Sequence, residues 1–397
     1  AQSCRAHSPG DVYRKGEETM SALVQLDPGI GRKRNLPSDE VFGSFDSLVE
    51  GWYWALRSKE LKTGKIKPLT MLGRELIAFR GEDGVARVMD AYCPHMGAHL
   101  AEGRVEGRGV RCFFHHWKFS EEGDCVDVPC QSNPARAGVQ AWPTAEKYGM
   151  IWVWSGAESR YEIPYIPDLK HLEEDSGFGN VFEKGCHPNI VMVNAIDEQH
   201  FHSVHPLASS LADGIHFDIR SYNENCLIFD NDKPVPNTNF ITRFLGRFYK
   251  GALTYRMVYW NGSTGSVTVG PDAFHFHIIF ALRPTSDGTA EGQTILVTRM
   301  RKGLLGWITN RVALFLTKIV GNYFAKGDTQ VFQTIKWNFK TPIKADRPII
   351  QFNKHLKKQK RVSWGAWTPL EQREGALVGP FSSETRIGRD EVLPCLP

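Results

Sequence analysis

The sequence predicts an α+β fold, with a small antiparallel β domain followed by a larger domain that holds an antiparallel sheet and one long helix. Three observations predict it. Short aromatic and β-branched segments separated by Gly-containing turns occupy residues 51–154. Further strand-like segments run between residues 226 and 300. The stretch 303–337 then repeats apolar residues at helical spacing.

Length and composition are those of a two-domain globular protein. The chain has 397 residues, of which 41% are hydrophobic and 23% are charged, and this length allows a substantial core in each domain. The net charge of +4 is too small and too dispersed to indicate nucleic-acid binding. Residues 1–19 lack the apolar segment of a secretory signal, and the cysteines are scattered, so we expect a cytoplasmic location.

Three segments are expected along the chain. Residues 1–46 carry Pro, Gly and charge without periodicity, and we predict an N-terminal arm. Residues 47–157 are predicted to form the first domain and residues 158–397 the second. The most apolar long stretch, 303–324, contains Arg311 and Lys318, so we expect no transmembrane segment.

The first motif pairs cysteine with histidine twice. Cys93-x-His95 is followed, after sixteen residues, by Cys112-x-x-His115. Zinc motifs usually keep the two Cys together and the two His together. Here each half supplies one of each, as in a Rieske [2Fe–2S] cluster, where Cys binds one iron and His the other. The motif therefore predicts Cys93 and Cys112 on one iron and His95 and His115 on the other; a structural zinc ribbon is the alternative.

The second motif concentrates three histidines and two carboxylates in nine residues: Asp197, Glu198, His200, His202 and His205. Asp197 and His200 would share one helix face, and the proline after His205 would end the helix and let that histidine turn back. A rival set, Glu198, His202 and His205, would also line one face at i, i+4 and i+7. Spacing alone leaves both possibilities open.

The segment 47–157 resembles the Rieske domain of the Rieske non-haem iron oxygenases, the terminal components of ring-hydroxylating systems. Respiratory Rieske proteins add a disulfide, and this chain has Ala98 and Phe114 at the two positions concerned. His116 stands where many oxygenases carry Gly. The resemblance is closest to the branch of vanillate O-demethylases and ketosteroid hydroxylases. It implies a helix-grip (START-like) catalytic domain after the Rieske domain.

The resemblance also implies roles for the second motif. The oxygenases carry Asn-x-x-Asp-x-x-His-x-x-x-x-His, matched here by Asn194, Asp197, His200 and His205. In the family the two His bind a mononuclear iron, and the Asp is an electron bridge. Asp197 is therefore expected to be the catalytic link between His200 and the partner subunit's His115.

Two histidines need a carboxylate to complete the facial triad of a non-haem Fe(II) site. Asp328 lies four residues after Phe324 and three before Val331, on an apolar stripe where an unpaired carboxylate would be costly. Family members take their third ligand from a late helix, in an Asp followed by a Trp, and Asp328 and Trp337 match this loosely. The alternative is an Asp that helps to start a helix after Gly327.

The resemblance implies the terminal oxygenase of a multicomponent system. It would use O2, with one [2Fe–2S] cluster and one Fe(II) per subunit of a homotrimer, to hydroxylate or O-demethylate a bulky aromatic or polycyclic ring substrate. Electrons would come from NAD(P)H through a separate reductase, with or without a ferredoxin. A desaturase and a dihydroxylating dioxygenase are alternatives on the same scaffold. A non-enzymatic Rieske electron-transfer protein is the alternative from another class. The sequence leaves open whether His275 or His277 lines the pocket.

Overall fold

The computed structural model describes residues 48–205, 216–234, 252–271, 274–285, 288–362 and 364. The predicted N-terminal arm lies outside these residues. Within these residues the α-helices are α1 (Pro188–Asn194), α2 (Glu198–Ser203), α3 (Gly303–Thr334) and α4 (Arg347–Lys358).

Short strands dominate the first part of the described chain: β1 (Leu48–Val49), β2 (Trp52–Arg57), β3 (Ile66–Met71), β4 (Arg74–Arg80), β5 (Ala86–Asp90), β6 (Arg104–Glu106), β7 (Gly109–Arg111), β8 (Lys118–Phe119), β9 (Cys125–Asp127), β10 (Ala141–Trp142), β11 (Thr144–Lys147) and β12 (Met150–Trp154). Strands β2 to β12 form three antiparallel sheets in the orders β10-β5-β4-β3, β6-β7-β8-β9 and β11-β12-β2. The two halves of the first motif lie on loops that follow β5 and β7.

The second part is built on one antiparallel sheet of seven strands: β13 (Glu174–Lys184), β14 (Asp218–Asn223), β15 (Cys226–Pro234), β16 (Ala252–Trp260), β17 (Thr264–Pro271), β18 (Phe276–Pro284) and β19 (Ala290–Arg299). Their order in the sheet is β13-β19-β18-β17-β16-β15-β14. After α4 the chain returns to its first described strand, because β20 (Arg361–Val362) pairs with β1.

The large sheet buries both of its faces, because successive side chains of a strand point to opposite sides. On one face Ile278 packs with Leu314 of α3. The next residue, Ile279, belongs to a core with the aromatic side chains of β2 and β12, among them Trp54 and Trp152. The sheet therefore has α3 on one side and the first domain on the other.

A buried arginine ties the two parts together. Arg283 of β18 donates hydrogen bonds from Nη1 to the backbone oxygens of Trp54 (2.8 Å) and Ala55 (3.1 Å). Its Nε donates to Glu291 Oε1 at 2.6 Å, and its guanidinium lies 4.0 Å from the Trp54 ring centroid. This contact satisfies two strand carbonyls of β2 and pairs the buried cation.

The predicted fold class is confirmed: an antiparallel β domain precedes a large antiparallel sheet with a long helix. Two details differ. The helix expected through the second motif is two short helices, interrupted at residues 195–197. The long helix ends at Thr334, short of residue 337. The boundaries at residues 46 and 157 stay predictions.

Helix α3 also qualifies the expectation about membrane spans. Among the described residues, it alone is long and apolar enough to cross a membrane by length and composition, and only 22% of its most apolar window is buried. The charges at Arg311 and Lys318 therefore exclude a span less strongly than we inferred from the sequence. The absence of a transmembrane segment stays a prediction.

Candidate metal centres and active site

Two tight loops present the first motif. The backbone N–H of Cys93 donates to Ala98 O, and that of Cys112 donates to Trp117 O, each at 2.9 Å. Each loop contains one residue with a left-handed backbone, Gly97 at φ +74° and His116 at φ +58°. These hydrogen bonds and turns place both Cys-His pairs at the same end of the domain.

The four side chains of the first motif differ in solvent exposure. Cys93 and Cys112 are buried, whereas His95 and His115 are exposed, with ring centroids 4.6 Å apart. The His95 ring also stacks on Trp117 at 4.4 Å. Burial raises the pKa of the Cys93 thiol to about 12, and the adjacent Cys112 adds to the shift. A metal ion offsets this cost because it replaces the thiol proton.

This donor set fits a Rieske cluster better than a zinc ribbon, because sulfur donors lie on the inner side and nitrogen donors on the outer side. His115, and not His116, contacts the His95 ring. His116 is exposed, and its backbone oxygen accepts a hydrogen bond from Arg111 Nη1 at 2.6 Å. Its left-handed φ explains why glycine suits this position.

Asp197 begins α2 and does not share its helical face. Its Oδ1 accepts hydrogen bonds from the backbone N–H groups of Gln199 (3.0 Å) and His200 (3.2 Å), as an N-cap does. Our expectation of one continuous helix face was therefore wrong. The cap holds His200 in the first turn of α2, and His205 lies after the helix end, where the following proline was expected to put it.

The second centre brings the side chains of His200 and His205 together with that of Asp328, which is more than 120 residues later in the sequence. His200 Nε2 and His205 Nε2 each lie 2.9 Å from Asp328 Oδ1. One donor atom from each residue lies within 4.8 Å of the other two, and both histidines are buried. Asn194 Nδ2 is 3.1 Å from His200 Nε2. The structure thus brings all four residues together, and the roles of His200, His205 and Asp328 as metal ligands stay predictions.

Electrostatics favour an ionised Asp328. Burial alone would raise the pKa of its carboxyl, but contacts with His200 and His205 outweigh burial and hold the pKa at about 2. Asp328 lies well inside α3, so the alternative of a helix-starting Asp is excluded. Two imidazoles and one carboxylate are the donor set of a non-haem Fe(II) facial triad, and these residues fit it.

The rival set is not assembled by the described side chains. Glu198 Oε1 accepts a hydrogen bond from the backbone N–H of Phe217 at 2.9 Å, and its Oε2 lies 3.0 Å from His216 Nδ1. The Glu198 carboxylate is therefore engaged with the two residues that directly precede β14. The side chain of His202 lies outside the described residues.

The three convergent residues border a cavity of about 450 Å³. Its wall is mainly apolar and aromatic, and includes Met192, Phe201, Met257, Val267, Phe280 and Phe324. Lys184 is one of its few cations, and burial lowers the pKa of this amine. Neither His275 nor His277 lines this cavity. His277 Nδ1 lies 3.0 Å from Thr268 Oγ1 on the neighbouring strand.

Sequence reasoning missed the contribution of Gly327. A Cβ at this position would lie 2.9 Å from His205 Cε1 and 3.2 Å from Val204 Cγ1. Glycine therefore lets α3 approach the His205 segment closely enough for Asp328 to meet both histidines. The available signal was glycine in a helix interior, where it is disfavoured, directly before a carboxylate.

Comparisons with known proteins identify the first domain and its relatives. The Rieske [2Fe-2S] domain family matches residues 51–144. Cholesterol 7-desaturase nvd of Bombyx mori is 39% identical over 202 residues, which are 49% of this chain and 45% of that protein. Aminopyrrolnitrin oxygenase PrnD of Pseudomonas fluorescens is 37% identical over 202 residues, 47% of this chain and 53% of that protein. The chain thus spans about half the length of the curated relatives that it matches.

A solved structure extends the likeness to the second domain. NdmA of Pseudomonas putida CBB5, in a mutant form with caffeine, matches 77% of this chain and 89% of its own, with a TM-score of 0.57 and 18% identity. At this identity the match shows a shared fold over most of the chain.

Removing one convergent side chain should empty the second centre and spare the first. We expect His200→Ala, His205→Ala and Asp328→Ala each to lose most mononuclear iron, because two donors hold a dication poorly. Glu198→Ala is the matched control, since its carboxylate binds Phe217 and His216. Iron content is measured against cluster absorbance in the purified proteins. Iron lost in Glu198→Ala and retained in His200→Ala would contradict the assignment.

Gly327→Ala should also lose mononuclear iron, although alanine favours a helix interior by about 1 kcal/mol over glycine. The added Cβ would push His205 or α3 aside. We expect a several-fold lower occupancy of the second centre, unchanged cluster absorbance and an intact fold by circular dichroism. Gln330→Ala, an exposed change on the same helix, is the control. Equal iron content in both variants would show that the close approach is unnecessary.

Proposed function

We propose that this chain, which contains a Rieske domain and is a relative of the Rieske oxygenases, is the terminal oxygenase of a multicomponent system. One observation carries the proposal: a single chain holds a Cys2His2 loop site and a 2-His-1-carboxylate site, with both histidines buried, on a largely apolar cavity. An electron carrier needs only the first. Together, a bound [2Fe–2S] cluster and a bound Fe(II) would supply electron transfer and O2 activation.

The cavity supports a bulky, largely apolar ring substrate. Its wall offers aromatic and aliphatic surface with few charged groups, and a volume of about 450 Å³ suits a molecule with several fused rings. Two of the relatives are named for cholesterol and aminopyrrolnitrin, which are both ring compounds. We propose hydroxylation or O-demethylation of such a ring. The 39% identity to a protein named as a desaturase favours desaturation as the second candidate.

Aromatic packing around the histidines would keep the reaction site dry. The His205 ring lies 5.1 Å from the Phe324 ring and 6.0 Å from the Phe201 ring, measured between centroids. Tyr255 packs on Phe201 at 4.9 Å and donates its hydroxyl to Ala195 O at 3.0 Å. These contacts fix the imidazole and limit access of water to Asp328.

Asp197 would link the two kinds of centre between subunits. Its described hydrogen bonds use Oδ1, and it borders an outer cleft together with Asn194 and His200. On the cluster loops His95 and His115 are exposed, beside the exposed apolar side chains of Phe113 and Phe114. In a homotrimer Asp197 could accept hydrogen bonds from His200 and from the partner subunit's His115. The partial exposure of Asp197 and the exposure of His115 support this arrangement.

Electrons would come from a separate NAD(P)H-dependent reductase, directly or through a ferredoxin. The sequence carries no convincing glycine fingerprint for a flavin or nicotinamide dinucleotide. We also propose that the protein works in the cytoplasm or at a membrane surface facing it.

The proposal is tested with the purified protein, a surrogate reductase, NADH and O2. Sterols, methoxylated aromatics and other ring compounds are each incubated, and products are identified by mass spectrometry. Substrate-dependent product and coupled NADH oxidation are expected. A protein that accepts electrons at its cluster but forms no product with any ring compound, while its mononuclear site is filled, would support the electron-carrier alternative.

Asp197→Asn should nearly abolish turnover while both metal centres stay filled. Asparagine caps a helix about as well as aspartate, so α2 should persist. The neutral amide holds an imidazole N–H less strongly than a carboxylate does, which weakens the proposed link. We expect turnover to fall by about 100-fold, the upper end of the range for losing a hydrogen-bond partner of a metal ligand. Turnover at the parental rate, with parental iron content, would reduce Asp197 to a helix cap.

A further inference from the structure

Helix α3 is apolar on two opposite sides. Its inner side packs on the large sheet through Leu314, buries Ala313 and Phe332, and carries Asp328 to the candidate metal centre. Its other side bears an outward stripe formed by exposed apolar residues: Leu304, Leu305, Ile308, Val312, Phe315, Leu316, Ile319 and Tyr323. A helix that is apolar all round is normally buried all round.

Helical geometry makes this stripe continuous. At about 100° per residue, positions 304, 308, 312, 315, 319 and 323 fall within one arc of about 100°, opposite the buried positions 310, 313, 317 and 321. The stripe is about 28 Å long. Leu305 is 81% exposed and Phe315 is 63% exposed. Single exposed apolar residues are ordinary, but a continuous stripe of this length indicates a binding surface.

The charges around the stripe identify its partner. Within α3 the bases are Arg311, Lys318 and Lys326, and the sole acid is Asp328, which turns inward. Arg301 and Lys302 are exposed just before the helix. Arg311 pairs with Asp175 and Lys302 with Glu173, which leaves an excess of positive charge along the stripe. A second copy of the same helix would oppose like charges, whereas anionic headgroups would complement them.

We propose that the outward stripe of α3 binds the surface of a lipid bilayer that contains anionic lipids. Apolar side chains with Trp307 and Tyr323 would lie among the acyl chains and headgroups, and the flanking bases would contact phosphates. The helix would lie along the surface and not cross it, because its inner side packs on the sheet and carries the metal-site carboxylate.

The stripe ends beside the mouth of the cavity. Lys318, Asn322 and Lys326 are exposed and also line the cavity, and Asn322 Oδ1 accepts a hydrogen bond from Asn180 Nδ2 at 3.2 Å. In α3, Ile319 of the stripe directly follows Lys318, and Tyr323 directly follows Asn322. An apolar ring compound dissolved in the bilayer could therefore reach the cavity without crossing water. This last step rests on the proposed function, whereas lipid binding does not.

The test is flotation of the full-length, metal-loaded protein with vesicles of phosphatidylcholine, with and without phosphatidylserine. The parent is expected to float with both, and more strongly with phosphatidylserine. Leu305→Glu/Phe315→Glu places two charges on the stripe and should weaken vesicle binding roughly tenfold or more. Because both side chains are exposed, cluster absorbance and mononuclear iron should be unchanged.

Val85→Glu/Val126→Glu is the matched control, since both valines are exposed on the first domain. It should float like the parent. The proposal is overturned if the parent stays in solution with both vesicle types, or if the stripe variant floats as well as the control. It is also overturned if the stripe variant changes the oligomeric size in vesicle-free buffer, because a second copy would then cover the stripe. Flotation needs no turnover, so its result is independent of whether the oxygenase activity is found.

Discussion

The contact between the Asp328 carboxylate and the two imidazoles of His200 and His205 is the constraint on which the second domain depends. A carboxylate in an apolar helix is costly unless cations or a metal compensate it. Here each histidine Nε2 lies 2.9 Å from the same oxygen. That geometry requires α3 to run close over His205, and Gly327 leaves the space for it. The sheet beneath α3 holds the helix in place through Leu314 and Ile278.

The candidate metal site of the first domain is partly exposed, unlike the buried histidines of the second centre. The thiols of Cys93 and Cys112 are buried, and the imidazoles of His95 and His115 are exposed. A centre built in this way insulates its sulfur side and presents its nitrogen side to a partner. The histidines of the second centre are buried, and Asp197 borders an outer cleft beside His200. The two sites thus differ in exposure, as the proposed roles in electron entry and substrate chemistry require.

Much of the site was predictable because its chemistry is encoded in short spacings. The Cys-His pairs, and the positions of His200 and His205, follow from local sequence, and Asp328 stood out as a carboxylate on an apolar stripe. Asp197 was placed on a helix face because periodicity alone does not distinguish an N-cap from a first-turn residue. The exposure of α3 was not predictable either. Apolar periodicity shows that a helix has a buried face, but not which other face stays uncovered.

The central claim is that one chain carries two different iron centres, and metal stoichiometry tests it most directly. Iron and acid-labile sulfide are measured per chain in protein purified under anaerobic conditions, and Mössbauer spectra separate cluster iron from mononuclear iron. The account predicts about three irons and about two sulfides per chain, with about one iron outside the cluster. About two irons, all within the cluster, would indicate an electron carrier, and zinc without sulfide would contradict both assignments.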